Sequence, residues 1–177
     1  MRKVILYAGM SLDGYIADKN GKVGWLSGDG SDKDNPGSYG SFFNSVHTIV
    51  MGFKTYHQIV TELSPKEWVY PGKECFVFTH DRQKEAGEVQ FTDKDPAELV
   101  KQLKEEPGGD IWVCGGSDII NQLIEGGCID RYCITVIPTI LGGGIPLFTS
   151  HGREIQLTLI STYSYNGMTD LVYEHRR

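Results

Sequence analysis

An α/β fold is predicted: a mostly parallel sheet covered by helices on both faces and finished at one edge by an antiparallel hairpin. Three observations carry it. Apolar strand runs alternate with helical patterns along most of the chain, the arrangement that builds crossover units on a parallel sheet. The first run, "KVILYAGM" from Lys3 to Met10, is continuously apolar rather than alternating, as a strand buried on both faces must be. Towards the other end, "EIQLTLISTYSYNGMTDLVYEHRR" alternates and turns at Asn166-Gly167, the dipeptide best suited to a two-residue hairpin turn.

The remaining elements follow in order. After the first strand comes a Gly/Asp-rich loop from Ser11 to Asp34, and a loop of that length inside a compact domain is usually functional or mobile. Asn35 and Pro36 predict the N-cap and first position of a short helix that carries Tyr39, Phe42 and Phe43. "HTIVMG" from His47 reads as the second strand and "FKTYHQIVTEL" as the helix behind it. "ECFVFT" at 74–79 and "EVQFT" at 88–92 are the next strands. Asp95-Pro96-Ala97-Glu98 is a capping box with proline in the first turn, opening a helix that ends at Pro107-Gly108-Gly109. The strand "DIWVC", the pair Gly115-Gly116 and the helix "SDIINQLIEGG" form the next unit, and "RYCITVIP" is the strand that follows.

Composition narrows the function. With 177 residues, 40% of them hydrophobic and 23% charged, one domain over residues 1–177 with a sizeable core is expected. A net charge of −6 provides no broad basic field, which argues against a nucleic-acid or anionic-membrane partner. No apolar run has the length of a membrane span, and the start "MRKVILYAGM" is too short for a secretory leader, so the cytoplasm is the expected location. Cys75, Cys114, Cys128 and Cys133 form no CxxC pair, and the five histidines are scattered, so no metal centre is expected.

Ligands of open α/β sheets bind at the carboxyl ends of the strands. Three joints there are suggestive: "MGFKTY", where Gly52 allows close approach and Lys54 and Thr55 face an anion; "FTHDR", which lines up Thr79, His80 and Arg82; and "CGGSD". The diglycine has neither the Rossmann spacing nor a P-loop lysine, and alone it reads equally as a tight packing turn or a phosphate site. Three such joints along one sheet edge favour a ligand with more than one phosphate.

The segments "SLDGYIA", "GWL", "VMGFKTYHQI", "PGKECFVFTHDR", "IWVCGGSDIINQL" and "ITVIPTILGGGIPLF" occur in the order and spacing of the dihydrofolate reductase-like fold. Over nearly the whole chain the sequence resembles that fold. It is most similar to the riboflavin-biosynthesis reductase branch, the RibD C-terminal domain family. The resemblance implies a three-layer sandwich with a mixed sheet of about eight strands, and NADPH lying across the strand ends. It implies a cis peptide between Gly115 and Gly116, with Ser117 and Asp118 meeting the pyrophosphate at a helix N-terminus. Ala8, Gly9 and Ile16 match positions around the nicotinamide; Gly52, Lys54 and Thr55 match the diphosphate turn; Thr79, His80 and Arg82 match the reader of the 2′-phosphate. Phe53 stands where many relatives have arginine, which shifts the choice of NADPH over NADH onto Arg82, His80 and Lys54.

The same resemblance leaves the substrate less defined. Folate-reducing members have an acid where this chain has Tyr39, and an arginine where it has Lys73. Riboflavin-pathway members commonly have an acid where it has Cys114. Thr135 matches the threonine that supports the folate enzymes' acid, and Trp25 matches a loop tryptophan. Asp13, Tyr39 and Thr135 are the candidates for a catalytic role, and Trp25, Tyr39, Tyr56, Lys73, Cys114 and Thr135 those for holding substrate; Asp13 either contacts substrate, orients its loop or forms a turn with Gly14, and Tyr39 and Tyr56 either line a pocket or pack in the core. The expected function is an NADPH-dependent reductase of a small pyrimidine- or pterin-like substrate, resembling 5-amino-6-(5-phosphoribosylamino)uracil reductase. The alternatives are a dihydrofolate reductase or a nucleotide-binding module without chemistry. Tyr163, Tyr165 and Tyr173 on the terminal hairpin suit pairing with a second copy, and a homodimer is expected.

Overall fold

The computed structural model describes residues 1–81 and 87–176. Its main sheet has eight strands: β1 (Val4–Ser11), β3 (Val46–Gly52), β4 (Glu74–Phe78), β5 (Val89–Thr92), β6 (Asp110–Gly115), β7 (Arg131–Ile137), β9 (Leu157–Tyr165) and β10 (Met168–His175). Their order is β5-β4-β3-β6-β1-β7-β10-β9. The first six pair in parallel, and β10 joins β7 and β9 antiparallel. This is the mixed sheet of about eight strands that the resemblance implies, and the mostly parallel sheet with an antiparallel hairpin at one edge that the sequence pattern predicts.

Period-two alternation sends the two faces of each strand into different cores. Val4 and Leu6 of β1 join Val113, Ile120 and Leu123 on the face covered by α3 (Pro96–Glu105) and α4 (Ser117–Glu125). Ile49, Met51, Val77 and Trp112 pack on the other face, beneath α1 (Tyr39–Ser45) and α2 (Phe53–Gln58) with its π-helical continuation Ile59–Leu63. In α4, Ile119, Ile120, Leu123 and Ile124 are buried at helical spacing, each stabilising by about 1.5–3 kcal/mol through apolar area removed from water. Asp95 caps α3 by accepting from Glu98 N at 3.0 Å, as the capping box predicts.

Two expectations are corrected. The first helix starts at Tyr39 with Ser38 at its N-cap, three residues after Pro36. Gly37 has φ 64°, which takes the chain out of a helical path, and the Asn35 carboxamide accepts from Gly37 N and from the Tyr163 hydroxyl. The segment from Ser11 to Asp34 also contains a strand, β2 (Tyr15–Ala17), paired antiparallel with β8 (Ile145–Pro146). Elements this short show no readable periodicity. No helix among the described residues is long and apolar enough to cross a membrane.

Candidate functional site

Because β1, β3, β4 and β6 are parallel, their carboxyl ends open on one side of the sheet, and a cleft of about 1580 Å³ runs across them. Pockets that take a single small molecule or cofactor usually span roughly 300–1,000 Å³. The cleft has room for a dinucleotide and a second molecule.

One stretch of wall is made by glycines. The Gly115-Gly116 peptide is cis, and Gly115 has φ 139°, a conformation that L side chains rarely adopt. A Cβ on Gly116 would lie 3.2 Å from Thr55 Oγ1, and one on Gly52 would lie 3.1 Å from Ile119. The diglycine and the Gly52–Thr55 turn therefore approach so closely that a side chain on Gly116 or Gly52 would press on Thr55 or Ile119. Gly116 is the N-cap of α4, whose first-turn amides have no partners within the helix and carry the positive end of its dipole. The Ser117 hydroxyl donates to the Pro146 carbonyl at 2.5 Å, and the Asn121 carboxamide donates to the carbonyls of Ser117 and Leu147, fixing that turn. The Asp118 carboxylate accepts from Gln122 one turn further along the helix. Lys54 is exposed at the rim, and Thr79 and His80 continue the wall at the end of β4. Arg82 lies outside the described residues. The glycine wall, the first-turn amides of α4 and the adjacent lysine fit a dinucleotide's pyrophosphate.

The other end of the cleft is aromatic. Tyr7, Tyr39, Tyr70 and Trp112 wall it together with Cys114. Tyr7 stacks on Phe42 at 4.3 Å between centroids and meets Trp112 edge-on at 6.5 Å, while the Trp112 indole donates to the Tyr7 carbonyl at 3.0 Å. Burial raises the pKa of Tyr7, Tyr39 and Tyr70, so all three phenols are neutral near pH 7. Burial likewise pushes the Cys114 thiol up to about 11, against a small opposing effect of its contact with Tyr70 at 3.6 Å. Ala8, Gly9 and Ile16 also line the cleft. Leu26 folds over Gly9 so closely that a Cβ there would come within 2.8 Å of it.

The structure thus brings Ala8, Gly9, Ile16, Tyr39, Gly52, Lys54, Thr55, Thr79, His80, Cys114, Gly115, Gly116, Ser117 and Asp118 to one cleft. It places others elsewhere. The Lys73 ammonium donates to the Val46 carbonyl at 2.6 Å and lies over the Phe43 ring. Tyr56 packs in the core against Phe91 and Trp68. The Trp25 indole donates to the Lys22 carbonyl, and its neighbours Val23 and Leu26 form the wall. Asp13 accepts from Ser11, Leu141 N and Gly142 N, tying two loops together. Thr135 is buried and donates to Asp170 at 2.6 Å.

Tyr7, Tyr70, Trp112 and Asp170 were not singled out in the sequence. An acid inside the run "MTDLVYEH" was the visible signal for Asp170, but its partner Thr135 follows only from the β7–β10 register, in which the two residues are opposed.

Known proteins agree with this architecture. The curated relative YwjB of Bacillus subtilis (strain 168), itself uncharacterized, is 35% identical over 175 residues, covering 97% of both chains. Among solved structures, a Shewanella sp. PV-4 protein assigned to riboflavin biosynthesis superposes with a TM-score of 0.86 at 25% identity, covering 99% of both chains. The Thermotoga maritima diaminohydroxyphosphoribosylaminopyrimidine deaminase/5-amino-6-(5-phosphoribosylamino)uracil reductase gives 0.72 at 15% identity, covering 99% of this chain and 57% of that one. Enterococcus faecalis dihydrofolate reductase, complexed with NADP(H), gives 0.69 at 16% identity over 99% and 97% of the two chains, so the fold is dihydrofolate reductase-like. The family described as the RibD C-terminal domain matches residues 2–171, a span that holds every strand-end joint lining the cleft and all but the last residues of the terminal hairpin. By that match this chain belongs to the RibD C-terminal domain family.

Proposed function

We propose that the protein is an NADPH-dependent reductase of a small nitrogen heterocycle, pyrimidine- or pterin-like, of the kind its family's riboflavin-pathway members reduce. The observation that carries this reading is the continuity of one cleft. Its glycine-lined end suits a pyrophosphate, and its aromatic end suits a flat ring. Gly52, Thr55, Gly115, Gly116 and the first turn of α4 would hold the pyrophosphate, with Lys54 as counter-charge. Thr79, His80 and Arg82 are proposed to read the 2′-phosphate.

Bound there, NADPH supplies a hydride. The chain's own residues do the rest. Ala8 and Gly9 leave a flat floor at the end of β1, Leu26 and Ile16 close over it and exclude water, and Tyr7, Tyr39 and Trp112 hold the acceptor ring beside it. The same reading includes a homodimer paired along the outer edge of β9, the edge strand, where Leu159 is exposed.

The test is a titration with NADPH and, separately, NADH, followed by quenching of tryptophan fluorescence, since Trp112 lines the cleft. Selective NADPH binding, weakened by Arg82→Ala by about 1–3 kcal/mol, the scale of charge-assisted hydrogen bonds, supports the assignment. An equal loss for both cofactors removes the 2′-phosphate role, and quenching by neither removes the reductase reading. Sedimentation of the wild type against Leu159→Lys tests the dimer.

A further inference from the structure

Behind the aromatic end of the cleft lies a buried polar chain that the binding of a ring does not require. Asp170 on β10 is 4% exposed and accepts from Ser38 at 2.5 Å, Thr135 at 2.6 Å and Tyr165 at 3.4 Å. The Tyr7 hydroxyl lies 3.0 Å from Ser38 Oγ. Ser38 is the N-cap of α1, yet its hydroxyl forgoes the capping bond and serves Asp170 instead. Tyr7 borders two spaces, the main cleft and a second cavity of about 340 Å³ that Ser38 and Asp170 also line. The chain Tyr7–Ser38–Asp170 thus connects the ring end of the cleft to a separate opening.

We infer that this chain is the proton path of the reduction, with Tyr7 the group that protonates the substrate and Ser38 and Asp170 the positioning and relay residues behind it. The inference rests on the reductase reading. Its logic is one of hydrogen-bond direction. When Asp170 is ionised it can only accept, so Ser38 donates to it, Tyr7 donates to Ser38, and the phenol has no proton to offer the cleft. When Asp170 takes a proton through the second cavity, the chain reverses: the carboxyl donates to Ser38, Ser38 to Tyr7, and Tyr7 to the cleft.

In the reaction, the carbon of an electron-poor C=N gains the hydride and its nitrogen takes the electron pair of the π bond. That nitrogen forms an N–H bond as the Tyr7 O–H bond breaks. Tyr7 recovers a proton from Ser38, and Ser38 recovers one from Asp170. The carboxylate left behind is reprotonated from solvent, and the nicotinamide is the group oxidised. The ionisable groups around Asp170 are Tyr7 on β1, Cys133 and Arg131 on β7, and Tyr163 and Tyr165 on β9; Glu174, on β10 itself, is bound to Arg131. Burial raises the pKa of Tyr7, Cys133 and Tyr165, which keeps those three groups protonated, and among the described residues Asp170 is the one carboxyl hydrogen-bonded to Ser38.

Two measurements test it. In protein labelled with [13C]ζ-tyrosine, with no cofactor, the Tyr7 resonance is assigned by its loss in Tyr7→Phe and followed from pH 4 to 9. The inference expects an inflection that Asp170→Asn and Ser38→Ala abolish and Ser38→Thr keeps, with the Tyr70 resonance unmoved. A Tyr7 resonance that titrates identically in Asp170→Asn, or not at all, overturns the relay.

With NADPH and either 5-amino-6-(5-phosphoribosylamino)uracil or dihydrofolate as probe, Tyr7→Phe and Asp170→Asn are expected to lower kcat about 100-fold, the low end of general-acid effects. KM should stay within threefold, and the solvent deuterium isotope effect on kcat should change. A raised KM with unchanged kcat makes Tyr7 a wall of the pocket and overturns its catalytic role. Failure of the wild type both to bind NADPH and to reduce either probe falls on the reductase reading, while the resonance still decides whether the relay exists.

Discussion

At the scale of single residues, Gly115 and Gly116 respond differently to a side chain. Gly115 has φ 139°, so alanine there strains the folded backbone. Gly116 has φ −74°, an ordinary value, and the nearest atom to a new Cβ is Thr55 Oγ1 at 3.2 Å. Gly116→Val should therefore cost some urea stability by pressing on Thr55 and weaken NADPH by more, at least tenfold by fluorescence titration; equal losses in both would make the diglycine a packing turn only. Cys114 offers a second residue-scale check. With its thiol pushed up to about 11, it remains protonated at pH 8 and should react with iodoacetamide far more slowly than a free cysteine, whose pKa is about 8.5. Rapid, NADPH-insensitive alkylation at pH 8 would contradict that. The residues legible in the sequence were those in consecutive runs such as "MGFKTY" and "CGGSD", because a strand-to-helix joint delivers its neighbours to one place. Tyr7 and Asp170 were not legible, since what makes them neighbours is strand pairing between distant parts of the chain.

At the scale of elements, the loops around the cleft are held by single polar side chains. Asp13 bridges the turn after β1 to the Leu141–Gly142 amides, and its carboxyl is held below the usual carboxylate range first by the Ser11 hydroxyl and then by those amides. A carboxyl depressed on folding stabilises fully above its unfolded value of about 4, and the effect is lost as pH falls through the folded value. Asp13→Asn should flatten the acid side of a stability profile, read as urea midpoints between pH 2.5 and 6, and leave the neutral side to the loss of one tie. Asn166, at the tip of the β9–β10 hairpin with φ 47°, accepts from Gly30 N and Asp32 N, while its carbonyl accepts from Asp29 N. Asn166→Ala should speed amide exchange at Gly30 and Asp32 with little effect in α4. The Asn166-Gly167 turn was plain from sequence because its chemistry is local. The start of α1 was misread for the converse reason: Asn35 spends its side chain on the hairpin's Tyr163, a partner no local window contains.

At the scale of the whole molecule, strands from every part of the chain must be in register before the cleft exists, so a ligand bound across their ends stabilises the sheet as a unit. NADPH at a hundred times its Kd should add about 2.7 kcal/mol, which for a chain of this size is roughly 5–10 °C in Tm. A shift confined to NADH, or none, would count against the proposed cofactor. The alternation of strand and helix made the layered architecture readable, because helices on both faces follow from parallel strands joined by crossovers. The position of β1 carries a further consequence. It is an interior strand whose neighbours are β6 and β7, Val4 lying opposite Ile111 and Ile5 opposite Arg131. The strands that pair with "VILYAGM" both come from the opposite half of the sequence, so while the chain is still collapsing its backbone waits, unpaired and apolar, for distant partners. Such long-range topology folds slowly and exposes a sticky strand on the way, so refolding yield should fall as protein concentration rises even where the native state is stable.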